Sequence, residues 1–116
     1  MSPEIPEGDW KVFRQLREVA LERFCERILQ EIGKAVSATA GKSHDRYLEI
    51  YRLVEQRDIQ LGNAFDAPRR SQAIMQISAI HTLGLLTPDE LARFSEATQD
   101  RVKSLSGLVH GRDPKR

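Results

Sequence analysis

The stretch DWKVFRQLREVALERFCERILQEIGKAVSAT, residues 9–39, decides the architecture. It contains no proline and one interior glycine, Gly33, and consists largely of Leu, Glu, Arg, Gln and Ala, residues that lose little on entering a helix. Asp9 stands before Trp10 as the expected N-cap, and the run SATAGKS closes the element near Thr39. At 100° per residue, Phe13, Leu16, Ala20 and Phe24 form one apolar stripe. Leu21, Cys25, Ile28, Leu29, Ile32 and Val36 form a second, rotated from the first. One helix with two apolar faces along its length meets two sets of neighbours.

Length sharpens that inference. About 30 helical residues span ~45 Å, whereas a globular domain of this size has a radius of gyration near ~13 Å. Either the helix kinks near Gly33, or a second subunit covers the surplus apolar face. The second solution is favoured, and a twofold homodimer is its commonest form.

Working outward, helix two is expected over residues 44–61 or slightly beyond, capped by Ser43. Tyr47, Tyr51, Val54, Leu61 and Phe65 follow a 4-3-7-4 spacing along it, with Ile50 beside them. In FDAPRRS, Asp66 is a candidate cap and Pro68 suits a first turn, so helix three is expected over residues 68–83, stopped by Gly84. LLTPDEL holds a complete start signal: Thr87 as N-cap, Pro88 at the first helical position, Glu90 closing a capping box, and Leu86 with Leu91 as a hydrophobic staple. Helix four begins there, with a break near Ser95 that caps a further helix over residues 96–105. No period-two alternation exists, which argues against a sheet. The expected fold is all-α: a single four- or five-helix domain with one long N-terminal helix. It comprises a flexible leader (1–8), a helical domain (9–105) and a basic C-terminal tail (106–116).

Composition narrows the function classes. The 116 residues are 40% hydrophobic and 30% charged, which suits one globular domain. Net charge is +1, without the basic excess expected of a chain that lives on nucleic acid or anionic lipid. Local basic character is confined to Arg69 and Arg70 and to the tail with Arg112, Lys115 and Arg116. The lone cysteine, Cys25, has no disulfide partner within the chain and reads as a small core-filling side chain. The first residues lack the charged and apolar regions of a signal peptide, and no apolar run approaches a membrane span. A cytoplasmic location without membrane attachment is expected.

Four polar residues fall on apolar stripes: Arg17, Asp58, Arg70 and His81. Asp58 occupies the missing place in the helix-two series, and Arg70 and His81 share a face with Ile74, Ile77 and Ile80. They suggest either a polar pocket, where a histidine near a carboxylate is the minimum for acid–base chemistry, or an interhelical ion-pair network. The network is favoured, because an unpaired buried carboxylate is costly. Asp58 is accordingly expected to pair with Arg17 or Arg70. Along helix one, Arg14 with Glu18 and Arg27 with Glu31 have the spacing of solvent-side i,i+4 pairs.

No other chemistry has an anchor. His44, His81 and His110 belong to no metal-binding spacing, so no metal or cofactor is expected. AGKS at residues 40–43 lacks the earlier glycine of a phosphate loop, since Val36 stands in that place. A helix-turn-helix reading of helices three and four meets Pro88, Asp89 and Glu90 where donors to DNA belong. By elimination and from the surplus apolar surface, the expected role is a non-catalytic, self-associating protein–protein interaction or regulatory module. It would act as a homodimer with an unknown protein partner. The alternative is an accessory nucleic-acid-binding protein using Arg69, Arg70 and the basic tail.

Overall fold

The computed structural model describes residues 5–110, with side chains through Ser106. Five α-helices follow one another: α1 (Glu7–Ser37), α2 (Ser43–Phe65), α3 (Ala73–Thr82), α4 (Pro88–Leu91) and α5 (Glu96–His110). A short 3-10 turn, Arg70–Gln72, leads into α3, and no strand occurs among the described residues. The fold is all-α with one long N-terminal helix.

α1 and α2 form an antiparallel hairpin, as three polar contacts at successive levels show. Arg17 donates to the Phe65 carbonyl, Arg57 forks onto the Glu31 carboxylate at 2.8 and 2.9 Å, and Arg46 donates to the Val36 carbonyl at 2.8 Å. α3, α4 and α5 pack against only one end of that hairpin. The core there gathers Phe13, Leu16, Ala20, Phe24 and Ile28 of α1, Ala64 and Phe65 of α2, Ile74, Ile77 and Ile80 of α3, and Leu85, Leu91, Phe94 and Val102. The Phe24 and Phe65 rings lie 6.4 Å apart within it.

α1 runs through Gly33 without interruption, and its 31 residues extend about 46 Å. The molecule measures 53 × 33 × 27 Å with a radius of gyration of 16.8 Å, well above the ~13 Å of a spherical domain of this length. Among the described residues, the far half of the hairpin is an arm with no third layer over it.

Several local signals act differently from their sequence reading. The helix starts at Glu7, and Asp9 does not cap it. Its buried carboxylate instead accepts from the Ser95 N–H (2.8 Å), the Ser95 hydroxyl (2.7 Å) and the Thr98 hydroxyl, and so serves the start of α5. Ile5 enters the core, and Arg70 holds it there through its carbonyl (2.8 Å) and through Glu7 (2.9 Å). Helix α1 thus begins inside the expected leader, of which residues 1–4 lie outside the described residues. At the other end α5 continues past residue 105 to His110, because Ser106 is buried and meets the His81 ring at 3.2 Å. Residues 111–116 of the expected tail lie outside the described residues.

Ser43 sits inside the first turn of α2, with Lys42 at the cap position and no side-chain cap bond. Asp66 ends α2 rather than starting α3, its N–H donating to the Gly62 carbonyl. Pro68 lies in the connection rather than in a helix, since the chain turns at Ala67, whose φ is +43°. Proline disfavours right-handed helical geometry at the residue before it, which keeps Ala67 out of a helix; the 3-10 turn at Arg70–Gln72 then intervenes, and α3 begins at Ala73.

The later punctuation matches its reading. Gly84 has φ +75°, with Leu85 N–H bonded to the Ile80 carbonyl and Gly84 N–H to the His81 carbonyl, both bonds of a Schellman ending. Thr87 and Glu90 form both bonds of the capping box, at 2.9 and 3.1 Å. α4 is a single turn, and Ser95 starts α5, its hydroxyl accepting from the Thr98 N–H.

Candidate interaction surface

Arg17, Asp58, Arg70 and His81 do not converge on one site. Asp58 is exposed and makes no hydrogen bond or ion pair among the described residues. The expected pairing fails because both candidate arginines are committed elsewhere. Arg17 binds the Phe65 carbonyl and lies 3.3 Å from Glu18, while Arg70 binds Glu7 and the Ile5 carbonyl. An exposed carboxylate keeps its water and requires no partner. His81 packs against Ser106 of α5 and shares no polar contact with Asp58. Cys25 is half-buried on the flank of α1 rather than enclosed in the core.

The bidentate ion pairs join residues that no sequence spacing relates. Arg23 forks onto Glu90 at 2.6 and 2.9 Å and also donates to the Leu85 carbonyl at 2.8 Å. Hydrogen bonding from Arg23, reinforced at Thr87, overrides burial and lowers the Glu90 pKa to about 2. Arg27 donates to the Leu83 carbonyl at 2.7 Å, so α1 caps the C-terminal end of α3. Arg27 and Glu31 share no hydrogen bond: Glu31 is taken by Arg57 across the hairpin, and that guanidinium, with a smaller contribution from the Arg27 charge, keeps its carboxyl below the ordinary glutamate value. For Asp9, burial opposes ionisation, but the Thr98 and Ser95 hydrogen bonds prevail and lower its pKa.

The arm carries the principal exposed apolar surface. Leu29 is 67% exposed and Val36 55% on α1, and Tyr47 is 62% and Tyr51 52% exposed on α2, with Val54 also open. A groove lined by Arg17 and Leu21 from α1 and by Asp58 and Leu61 from α2 fixes the sidedness. From Leu21, helical spacing leads along α1 to Cys25, Leu29, Ile32 and Val36. From Asp58 it leads along α2 to Val54, Tyr51 and Tyr47. Both series therefore emerge on the same side of the hairpin. α2 bears an apolar stripe that is buried at Phe65, half-buried at Leu61 and bare beyond, because α3–α5 cover only one end.

Together the five exposed side chains present on the order of 500 Å², toward the upper end of the largest apolar patch on a typical monomer. Of the arginines expected to contact nucleic acid, Arg69 is exposed while Arg70 is held by Glu7 and Ile5. The basic residues Arg112, Lys115 and Arg116 lie outside the described residues. Among the described residues, no helix is long and apolar enough to cross a membrane. Comparison with protein-family models, with curated proteins and with solved structures found no match.

Proposed function

We propose that this protein is a self-associating interaction module of the cytoplasm, acting as an adaptor or regulatory subunit rather than as a catalyst. The observation behind this reading is the two-helix apolar face of the arm, with Leu29 and Val36 opposite Tyr47, Tyr51 and Val54. Two such faces related by a twofold axis would bring four helices together, the arrangement by which helical hairpins commonly bury exposed stripes. The tyrosines suit that place, since each offers a broad apolar ring at low entropic cost and a hydroxyl that stays at the wet rim.

Area sets the expected strength. Joining two patches of this size would bury roughly 1,000 Å² of the exposed side chains, near the lower edge of specific interfaces. A micromolar dimer is expected rather than an obligate one. Sedimentation equilibrium from about 5 to 500 µM tests it, because a Kd in this range corresponds to roughly −5 to −7 kcal/mol. Wild-type protein should pass from monomer to dimer, and Tyr51→Glu should stay monomeric with unchanged helical circular dichroism. A wild-type monomer across the series, or a dimer indifferent to Tyr51→Glu, would refute the proposal.

A further inference from the structure

A second surface lies where the C-terminal part of α2 meets α3 and α5. A groove of about 380 Å³ opens there, lined by Ala64, Met75, Ser78, Ala79, Leu83 and Leu105, with Gln60, Asn63 and Thr82 completing its wall. Its volume lies within the range of small-molecule sites. Among the described residues no charged side chain lines it, so they offer nothing to compensate the desolvation of an ion.

One feature is out of keeping with an idle crevice. Ser78 is only 8% exposed, it lines the groove, and its hydroxyl oxygen, itself shut off from solvent, has no hydrogen-bond partner among the described residues. A serine in a helix usually returns its hydroxyl to the carbonyl one turn back or turns to water, and a stranded buried hydroxyl is destabilising. Next to it, the Gln76 side chain donates to the Asp66 carbonyl at 2.7 Å and leaves its Oε1 without a partner, in an adjoining groove that shares Asn63, Met75 and Ala79. Both unmet polar atoms belong to the wall-forming part of α3. Met75, which borders both grooves, is largely exposed, and an unbranched thioether adapts to differently shaped occupants.

We propose that the α2–α3–α5 groove binds an uncharged, mainly apolar small molecule carrying one hydroxyl or carbonyl group, which bonds the Ser78 hydroxyl once that side chain turns about its Cα–Cβ bond toward the groove. The uncharged wall selects neutral ligands. Ser78 orients the ligand's polar atom, and Ala79 keeps the floor open. This site stands apart from the arm face and does not depend on self-association.

The test uses the full chain and the neutral dye N-phenyl-1-naphthylamine, whose fluorescence rises on leaving water. Saturable binding of one dye per chain is expected, displaced by 1-octanol and at least about tenfold less well by octanoate, whose charge the groove cannot solvate. Ala79→Leu should fill the groove and abolish dye binding. Ser78→Ala should weaken octanol competition about fivefold to tenfold, the worth of one hydrogen bond, while the melting temperature holds or rises because an unmet polar group is gone. The proposal falls if wild-type protein shows no saturable binding, if octanoate competes as well as octanol, or if Ala79→Leu binds dye normally. It falls equally if Ser78→Ala leaves octanol competition unchanged, a result that is readable even should Ala79→Leu fail to fold.

Discussion

Asp9→Ala is expected to be among the most damaging single substitutions at a polar residue. The carboxylate is 4% exposed and accepts from three donors at the start of α5, one of them the hydroxyl of the buried Thr98. Losing the bonds to the Ser95 N–H and hydroxyl costs about 1 kcal/mol, and stranding the buried Thr98 hydroxyl adds about 1–3 kcal/mol. A loss near 3 kcal/mol follows, which lowers the melting temperature by roughly 12 °C for a domain of this size. Urea unfolding followed by circular dichroism measures it directly. Asp9→Asn separates charge from shape, because the amide keeps one acceptor and should lose about 1–2 kcal/mol. The pKa of Asp9 lies below its ordinary 3.8 in the folded protein. Its contribution is therefore complete above pH 3.8 and fades as pH falls through the lowered value. The gap between wild type and Asp9→Asn should narrow in acid over that window. A loss under about 1 kcal/mol for Asp9→Ala, or a wild-type–Asn gap that ignores acid, would refute this account of how α1 anchors α5.

Two further outcomes are expected. The Glu90 carboxyl falls from 4.5 to about 2 in the folded state, so the Arg23–Glu90 bridge stabilises fully above pH 4.5 and is lost between there and about pH 2. Arg23 is 37% exposed, and screening limits the effect to about 1–2 kcal/mol; Glu90→Gln should lose that at neutral pH and match wild type in strong acid, measured by urea midpoints across pH. At the turns, Gly84→Ala should cost about 1 kcal/mol for its positive φ alone, since the space around it is open, and Ala67→Gly should have the opposite sign in thermal melts.

The long first helix, the Gly84 stop, the Thr87–Glu90 start and the Ser95 break were all legible in the sequence, because each is written in adjacent residues. Local chemistry was enough to specify them. What the sequence concealed is where side chains go once elements meet. Asp9 has the composition and position of a cap for its own helix, yet it holds the N–H and hydroxyl of Ser95, the capping residue of α5, 86 residues later. Arg23 and Glu90 are separated by 67 residues, and no spacing rule joins them. Asp58 shares its stripe with Tyr51 and Val54 yet stays exposed, since a helical wheel shows which residues share a face but not how far the neighbouring layer reaches. That same limit governs the candidate surface. The stripe of Tyr47, Tyr51 and Val54 was visible, whereas its being bare depends on α3 being ten residues long and docking near Phe65. Ser78 could not be found from sequence at all, because an unmet hydroxyl is defined by what surrounds it.

The continuity of α1 has a thermodynamic consequence. Its first half is locked by four other helices, while its second half is steadied by α2 alone, with Glu31–Arg57 and Arg46–Val36 as clips. Opening the arm therefore disrupts only one helix–helix seam and leaves the five-helix end intact. Amide protons of residues 30–36 should exchange with solvent through such partial openings, whereas those near Leu16 and Ala20 must wait for the whole molecule to unfold. A single uninterrupted rod of peptide thus belongs to two cooperative units, and whatever docks on its outer half would slow exchange there first.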